Sequence, residues 1–129
     1  MKKLLLLALP FLLLSCSSNS KKIISSVSDE IGTSGETKTF NDKETYVKWK
    51  IVSIGKSEVI KNAVDKSFGS LPTKTVDLSQ SFDQNANAIP GEFNKYWVYE
   101  NSSLKVELDY TYNGYDKNNM LVELHVTTK

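Results

Sequence analysis

Apolar and polar residues alternate along several stretches of the chain, and this alternation predicts β-strands. In residues 45–54, Val47, Trp49 and Ile51 fall on one side, and lysines occupy the positions between them. Because successive side chains of a strand point to opposite faces, this pattern is typical of a strand with one buried face. The same reasoning predicts four further strands, over residues 74–82, 93–100, 104–112 and 120–128.

One stretch follows the helical period instead. Ser57 is a candidate N-cap, and Gly69 stops the pattern. The apolar positions between them recur three and four residues apart and would form one face of a helix, at Val59, Ile60, Ala63, Val64 and Phe68. The spacing therefore predicts a helix over residues 57–67.

The order of these elements predicts a fold class. Strands that follow one another through short turns pair antiparallel, and a single helix can cover one face of the resulting sheet. We therefore expect a two-layer α+β domain with a mainly antiparallel sheet of about five strands and one helix, in the order β-α-β-β-β-β. A small all-β barrel with the helix at its side is the alternative.

The last two predicted strands suggest a specific register. If Tyr112 pairs with Met120, apolar residues face one another along the whole hairpin, as a buried face requires. The opposite face then places Asp109 across from Glu123 and Glu107 across from His125, the single histidine of the chain. This cluster could bind a divalent metal or act as an acid–base pair. A solvated sheet face that carries Lys105 among its carboxylates is the simpler interpretation.

Four further residues are candidates for contact with a partner. Tyr96 lies off the main apolar phase of its strand, and Tyr115 lies in a predicted loop. Tyrosine is favoured at interfaces because it combines a large apolar ring with a polar hydroxyl. Asn85 and Asn87 belong to the polar loop 83–92, and long loops on a rigid sheet often carry function.

The composition makes nucleic-acid binding and the common enzyme classes poor hypotheses. The formal net charge of the 129 residues is +1, and subtracting Lys2 and Lys3 leaves about −1 for the rest. All 16 basic residues are lysines, which lack the planar fork with which arginine grips phosphate or guanine. We find no nucleophile elbow, zincin pair, P-loop or dinucleotide fingerprint. The sequence therefore predicts no catalytic residue and no cofactor.

The first sixteen residues predict export and attachment to a membrane. Two lysines precede the apolar run 4–14, which as a helix would rise about 16 Å, roughly half the hydrocarbon thickness of a bilayer. The run therefore fits the core of a secretory signal. The following Leu13-Leu14-Ser15-Cys16 resembles the lipobox of bacterial lipoproteins. The resemblance implies cleavage after Ser15 and a covalent lipid on Cys16, which is the only cysteine.

The residues after Cys16 refine this expectation. Ser17 rather than aspartate follows Cys16, which by the same resemblance implies the outer membrane, with the domain facing the periplasm. We expect a signal peptide over residues 1–15, a lipidated tether over 16–37 and a single domain over 38–129. Within the tether, Ile23, Ile24, Val27 and Ile31 could lie on one face of a short helix or belong to a strand. Docking on the domain is the favoured role of this segment, and contact with the membrane surface or a partner is the alternative.

These expectations favour a non-catalytic lipoprotein of the cell envelope that binds another protein, as an inhibitor, an immunity protein or an accessory factor. A binder of small ligands or glycans is the alternative, and a metal-dependent enzyme a weaker one. A concave aromatic pocket would favour the ligand binder.

Overall fold

The computed structural model describes residues 15–78, 81–82, 84–86, 88–89, 94–112 and 119–129. It contains the helices α1 (Ser15–Ile31) and α2 (Ser57–Phe68). The strands are β1 (Glu36–Phe40), β2 (Glu44–Ser53), β3 (Lys74–Leu78), β4 (Ser81–Phe82), β5 (Ala88–Ile89), β6 (Asn94–Glu100), β7 (Leu104–Tyr112) and β8 (Asn119–Thr128). Neither helix is both long enough and apolar enough to cross a membrane, among the residues described.

Six strands form one antiparallel sheet in the order β1-β2-β8-β7-β6-β3. Strands β6, β7 and β8 are neighbours both in sequence and in space, whereas the pairing of β2 with β8 brings distant parts of the chain together. The short strands β4 and β5 pair separately with each other. The prediction of an α+β fold with an antiparallel sheet is therefore confirmed.

The finer prediction of one helix, about five strands and the order β-α-β-β-β-β is wrong. The structure adds the helix α1 and then the edge strand β1, both before the first predicted strand, and both include residues of the predicted tether 16–37. Isoleucine, valine and serine are weak helix formers, so local propensity gave little support to α1. Packing supplies that support, because Ile23 and Val27 are completely buried.

The core lies between the two helices and one face of the sheet, which we call the inner face. Alternate residues of the central strands point into it, including Trp49, Tyr99, Leu108 and Leu124. Both helices cover this face with apolar side chains, such as Ile23 of α1 and Ile60 of α2. The opposite face of the sheet, which we call the outer face, carries the polar members of the same strands.

Strand β2 departs from the predicted alternation. Val47 and Trp49 are buried as expected, but Ile51 is 75% exposed and Val52 is buried in its place. The register with β8 shifts between Trp49 and Val52, because an irregularity there inserts one extra residue into β2. The shift reverses the faces of all later positions in the strand.

The boundaries of α2 agree with the helical pattern, and one detail of its start differs. Lys56 is the N-cap, and Ser57 is the first helical residue, completely buried, with Lys95 Nζ donating to its Oγ at 3.2 Å. Gly69 ends the helix in the left-handed conformation with φ of 94°. Glycine suits this C-terminal position because it has no Cβ to clash there.

Candidate functional site

The predicted cluster lies in the centre of the outer face. The hairpin of β7 and β8 has the register expected from the sequence, with Asp109 opposite Glu123 and Glu107 opposite His125. Neighbouring strands extend these rows in both directions, because Tyr96 lies opposite Asp109 and Tyr46 lies opposite His125. The site is therefore built from four adjacent strands, β2, β8, β7 and β6.

His125 is held between two carboxylates. Its Nδ1 lies 2.8 Å from Glu107 Oε2, and its Nε2 lies 3.3 Å from Glu44 Oε1. Thr127 Oγ1 also lies 3.3 Å from Nε2, and the ring of Tyr46 stacks on the imidazole with centroids 3.9 Å apart. Because each ring nitrogen has a carboxylate as neighbour, a protonated imidazole could donate to both.

Glu107 also contacts Tyr96 and Lys105. The hydroxyl of Tyr96 donates to Glu107 Oε1 at 2.9 Å, and Lys105 Nζ lies 3.6 Å from the same oxygen. Burial raises the pKa of Glu107, but the hydrogen bonds from Tyr96 and His125, together with the charges of Lys105 and His125, outweigh burial and leave the pKa lowered. Burial and the neighbouring carboxylate raise the pKa of Tyr96 to about 12. Glu107 is therefore the ionised centre of this network.

The pKa of Asp109 is shifted in the opposite direction from that of Glu107. Burial, followed by the charges of Glu123 and Glu107, raises the pKa of its carboxyl to about 6. The cross-strand register implies a mild repulsion between Asp109 and Glu123. This repulsion contributes to the raised pKa of Asp109. Since the charged form is disfavoured in the folded protein, ionisation of Asp109 opposes folding.

We expect Asp109→Asn to stabilise the protein near pH 8 and to change little near pH 3. The folded pKa lies above the ordinary value of 3.8, so the stability that Asp109 contributes is complete below that value and is lost as the pH rises from there through about 6. Asparagine avoids this loss. Thermal unfolding of both proteins from about pH 3 to about pH 8 measures it. Asp77→Asn, at an exposed position of β3, is the matched control; a gain for Asp109→Asn that did not grow with pH would contradict the assignment.

The contacts of His125 bear on the predicted metal site. Within the described part of the chain, no group of three or more histidine, cysteine, aspartate or glutamate side chains is arranged to hold a metal ion. The carboxylates of Glu107 and Glu44 approach different ring nitrogens of His125, where a metal ion would otherwise bind. Metal binding at Glu107, Asp109, Glu123 and His125 stays a prediction.

A groove of about 470 Å³ opens beside this network, where β1, β2 and β8 meet. Phe40 and Tyr46 form its aromatic part, with their rings edge to face at 5.6 Å between centroids. Both are unusually exposed for large apolar residues, at 47% and 40%. Charged side chains of both signs complete the lining, at Glu36, Lys38, Glu44, Lys48 and Glu123.

Of the four predicted contact residues, the structure describes Tyr96 and Asn85, and neither lines this groove. Tyr96 is half-buried, and its hydroxyl is used within the network. Asn85 lies in an exposed turn between β4 and β5, whereas Tyr115 and Asn87 lie outside the described residues. The signal peptide predicted over residues 1–15 lies outside them as well, except for Ser15.

Sequence reasoning missed Phe40, Glu44 and Tyr46. Glu44 meets His125 across 81 positions of sequence, and this contact depends on the pairing of β2 with β8. No local turn fixes that pairing. The alternation of β2 could have indicated these residues, because Glu44 and Tyr46 fall on the strand face opposite that of Val47 and Trp49.

In comparisons with known proteins, no family model, no curated protein and no solved structure matches the chain.

Proposed function

We propose that this chain is a lipoprotein of the bacterial cell envelope, anchored through lipid on Cys16, and that its domain is a non-catalytic module that binds another protein. The lipobox-like Leu13-Leu14-Ser15-Cys16 supports the anchor, and Ser17 supports an outer-membrane location facing the periplasm. An inhibitor, immunity or accessory role suits a domain of this size.

The observation that carries the binding role is the exposed aromatic pair of Phe40 and Tyr46 on the outer face. Exposed aromatic residues surrounded by polar groups are the usual anchors of protein interfaces. The surrounding charges, from Glu36, Lys38 and Lys48, provide the polar rim that such an interface needs. Phe40 belongs to the edge strand β1, all five of whose residues are exposed.

The contacts of His125 support a binding role over a catalytic one. Both of its ring nitrogens already face carboxylate oxygens, and Tyr46 covers one face of the ring. A general base needs a nitrogen within hydrogen-bond reach of a substrate proton. The network instead fixes the side chains on which the groove is built.

We expect Tyr46→Ala to weaken capture of the partner by about tenfold or more, since aromatic anchors typically contribute over 1 kcal/mol to binding. The lipidated full-length chain would be crosslinked gently in membranes, and the recovered protein would be quantified for each variant. Leu71→Ala is the matched control, because Leu71 is 72% exposed and lies at a different place on the surface. Equal recovery with both variants would contradict a partner site at Tyr46.

Binding of a small ligand or glycan is the second candidate, and the concave shape of the groove favours it. Aromatic rings stack on sugar faces, and carboxylates with lysines can bond hydroxyl groups. Titration with defined oligosaccharides distinguishes the two candidates. Saturable binding that Tyr46→Ala removes, with no protein recovered in the crosslinking experiment, would replace the leading proposal.

A further inference from the structure

Helix α1 connects Cys16 to the core without a flexible segment between them. The helix runs from Ser15 to Ile31, and Ile23, the first completely buried residue among those from Asn19 onward whose burial the structure describes, lies seven positions after Cys16. Seven helical residues rise about 10 Å. The other end of the helix is fixed too, because Gly32 N donates to Ser28 O at 2.7 Å and Lys56 Nζ donates to Glu30 O at 2.9 Å.

The contacts of α1 define which end of the domain lies near Cys16. Lys56 immediately precedes α2 and reaches the C-terminal end of α1, and the two helices pack side by side. Helix α1 therefore runs back along α2, and its first residues lie toward the end at which α2 stops. There the chain enters β3, with Thr73 N donating to Val98 O at 2.7 Å.

We call this part of the domain the anchor end. It comprises residues 19–22 and 66–74, the turns 41–43 and 101–103, and Lys129. The two turns and the C-terminus are joined by backbone hydrogen bonds, from Thr128 N to Lys43 O at 2.8 Å and from Lys129 N to Ser103 O at 3.0 Å. The opposite end carries the end of α1, the end of β2 and the start of α2.

Exposed charges differ between the two ends. Six exposed lysines lie at the anchor end, at Lys21, Lys22, Lys43, Lys66, Lys74 and Lys129. Asp42 is exposed there as well, and Glu100, which precedes the turn 101–103, forms an ion pair with Lys129 at 2.7 Å. The opposite end instead exposes the acidic side chains of Asp29, Glu30 and Glu58.

Within α1 the charges run against the helix dipole. A helix is stabilised by acidic residues near its N-terminus and basic residues near its C-terminus. In α1 the lysines at 21 and 22 come first and Asp29 and Glu30 come last, with no acidic residue in the first turn and no basic residue in the last. This order does not stabilise the helix, but it complements an anionic surface placed at its N-terminal end.

We propose that the anchor end rests on a bilayer that contains anionic headgroups, with α1 as a rigid spacer from the lipid on Cys16. The inference depends on the proposed lipid anchor and adds a fixed orientation to it. Each lysine near an anionic surface strengthens attraction about fivefold. The lysines and the short helical connection thus act together, because both bring the same end toward the headgroups.

Two matched cysteine variants test the orientation. Ser103→Cys labels the anchor end, and Ser53→Cys labels the opposite end; both serines are exposed, and the sheet separates them by about 30 Å. The full-length protein, processed in the cell, would be labelled with a fluorophore and reconstituted in vesicles of zwitterionic and anionic lipid with a headgroup-attached quencher. We expect strong quenching at position 103 and almost none at position 53.

Inserting twenty glycine and serine residues between Ser18 and Asn19 is the structural control. A flexible segment of that length spans about 25 Å on average, so we expect the difference between the two labels to be largely lost. Equal quenching of both labels without the insertion, in protein whose intact mass includes the lipid, would overturn the inference. A mass without lipid would instead contradict the proposed anchor.

Charge-neutral variants test the chemistry of the surface. Replacing Lys21, Lys22, Lys43 and Lys66 by glutamine should remove the dependence of quenching at position 103 on anionic lipid, whereas Lys38→Gln with Lys48→Gln on the outer face should preserve it. An unchanged dependence in the first variant would exclude anionic headgroups as the partner of the anchor end.

Discussion

We expect Ile23→Ala to lower the free energy of unfolding by about 2–5 kcal/mol, the range for truncating a buried isoleucine. Ile23 has no exposed surface, and it packs in one cluster with residues of the sheet and of α2. Removing its side chain leaves a cavity that the surrounding core fills incompletely. Urea unfolding followed by tryptophan fluorescence measures the loss, since Trp49 and Trp97 are both buried.

The matched control is Ile51→Ala, the same chemical change at a position that is 75% exposed. We expect this control to alter the free energy of unfolding by less than about 0.5 kcal/mol. Similar effects of the two substitutions would mean that residues near Ile23 do not contribute to the folded core. A large difference would show that the folded unit includes the helix that follows Cys16.

We expect Gly35→Ala to be the second strongly destabilising change, by about 3 kcal/mol, at the upper end of the range for overpacking. A Cβ at position 35 would lie 2.5 Å from Val47 Cγ1, 2.8 Å from Trp49 Cε2 and 2.9 Å from the carbonyl oxygen of Lys48. These atoms belong to β2, whose backbone cannot move away without disturbing its pairing with β8. Glycine therefore lets the segment between α1 and β1 pass closely over β2.

The indole of Trp49 is part of the same crossing, because its Nε1 donates to Thr33 O at 2.9 Å. A shift of the ring to admit a methyl group at position 35 would also strain this hydrogen bond. Ser34→Ala, at the exposed neighbouring position, is the control and should be nearly neutral. Thermal unfolding of both variants is sufficient, and a Gly35→Ala protein as stable as the control would contradict the close packing.

The two predictions and the orientation of the anchor end concern the same segment. Residues 16–37 lack the clear alternation that marks the later strands, yet they contribute nearly all of α1 and the first two residues of β1. Serines and β-branched residues give α1 a low intrinsic helix preference, so its pattern was equally compatible with a strand. The decisive stabilisation comes from burying Ile23 and Val27 against elements far along the chain.

On the outer face, too, some contacts of the site follow from the local sequence and others depend on the tertiary structure. The pairing of Glu107 with His125 and of Asp109 with Glu123 follows from the hairpin of β7 and β8, and the structure confirms the register. A hairpin register is readable because a slip by one residue would turn the whole apolar set toward solvent. In contrast, the contacts of Tyr46 and Glu44 with His125 require β2 to lie beside β8, which no short turn imposes.

The sequence by itself determined the α+β class, the helix α2, the strands β2, β7 and β8, and the cross-strand row of charges, because each depends on periodicity and on neighbours close in the chain. The tertiary structure alone decided the sheet order, the incorporation of α1 and β1, and the groove beside Phe40 and Tyr46. These features depend on contacts between distant segments, whose free energy is gained only when the whole core assembles.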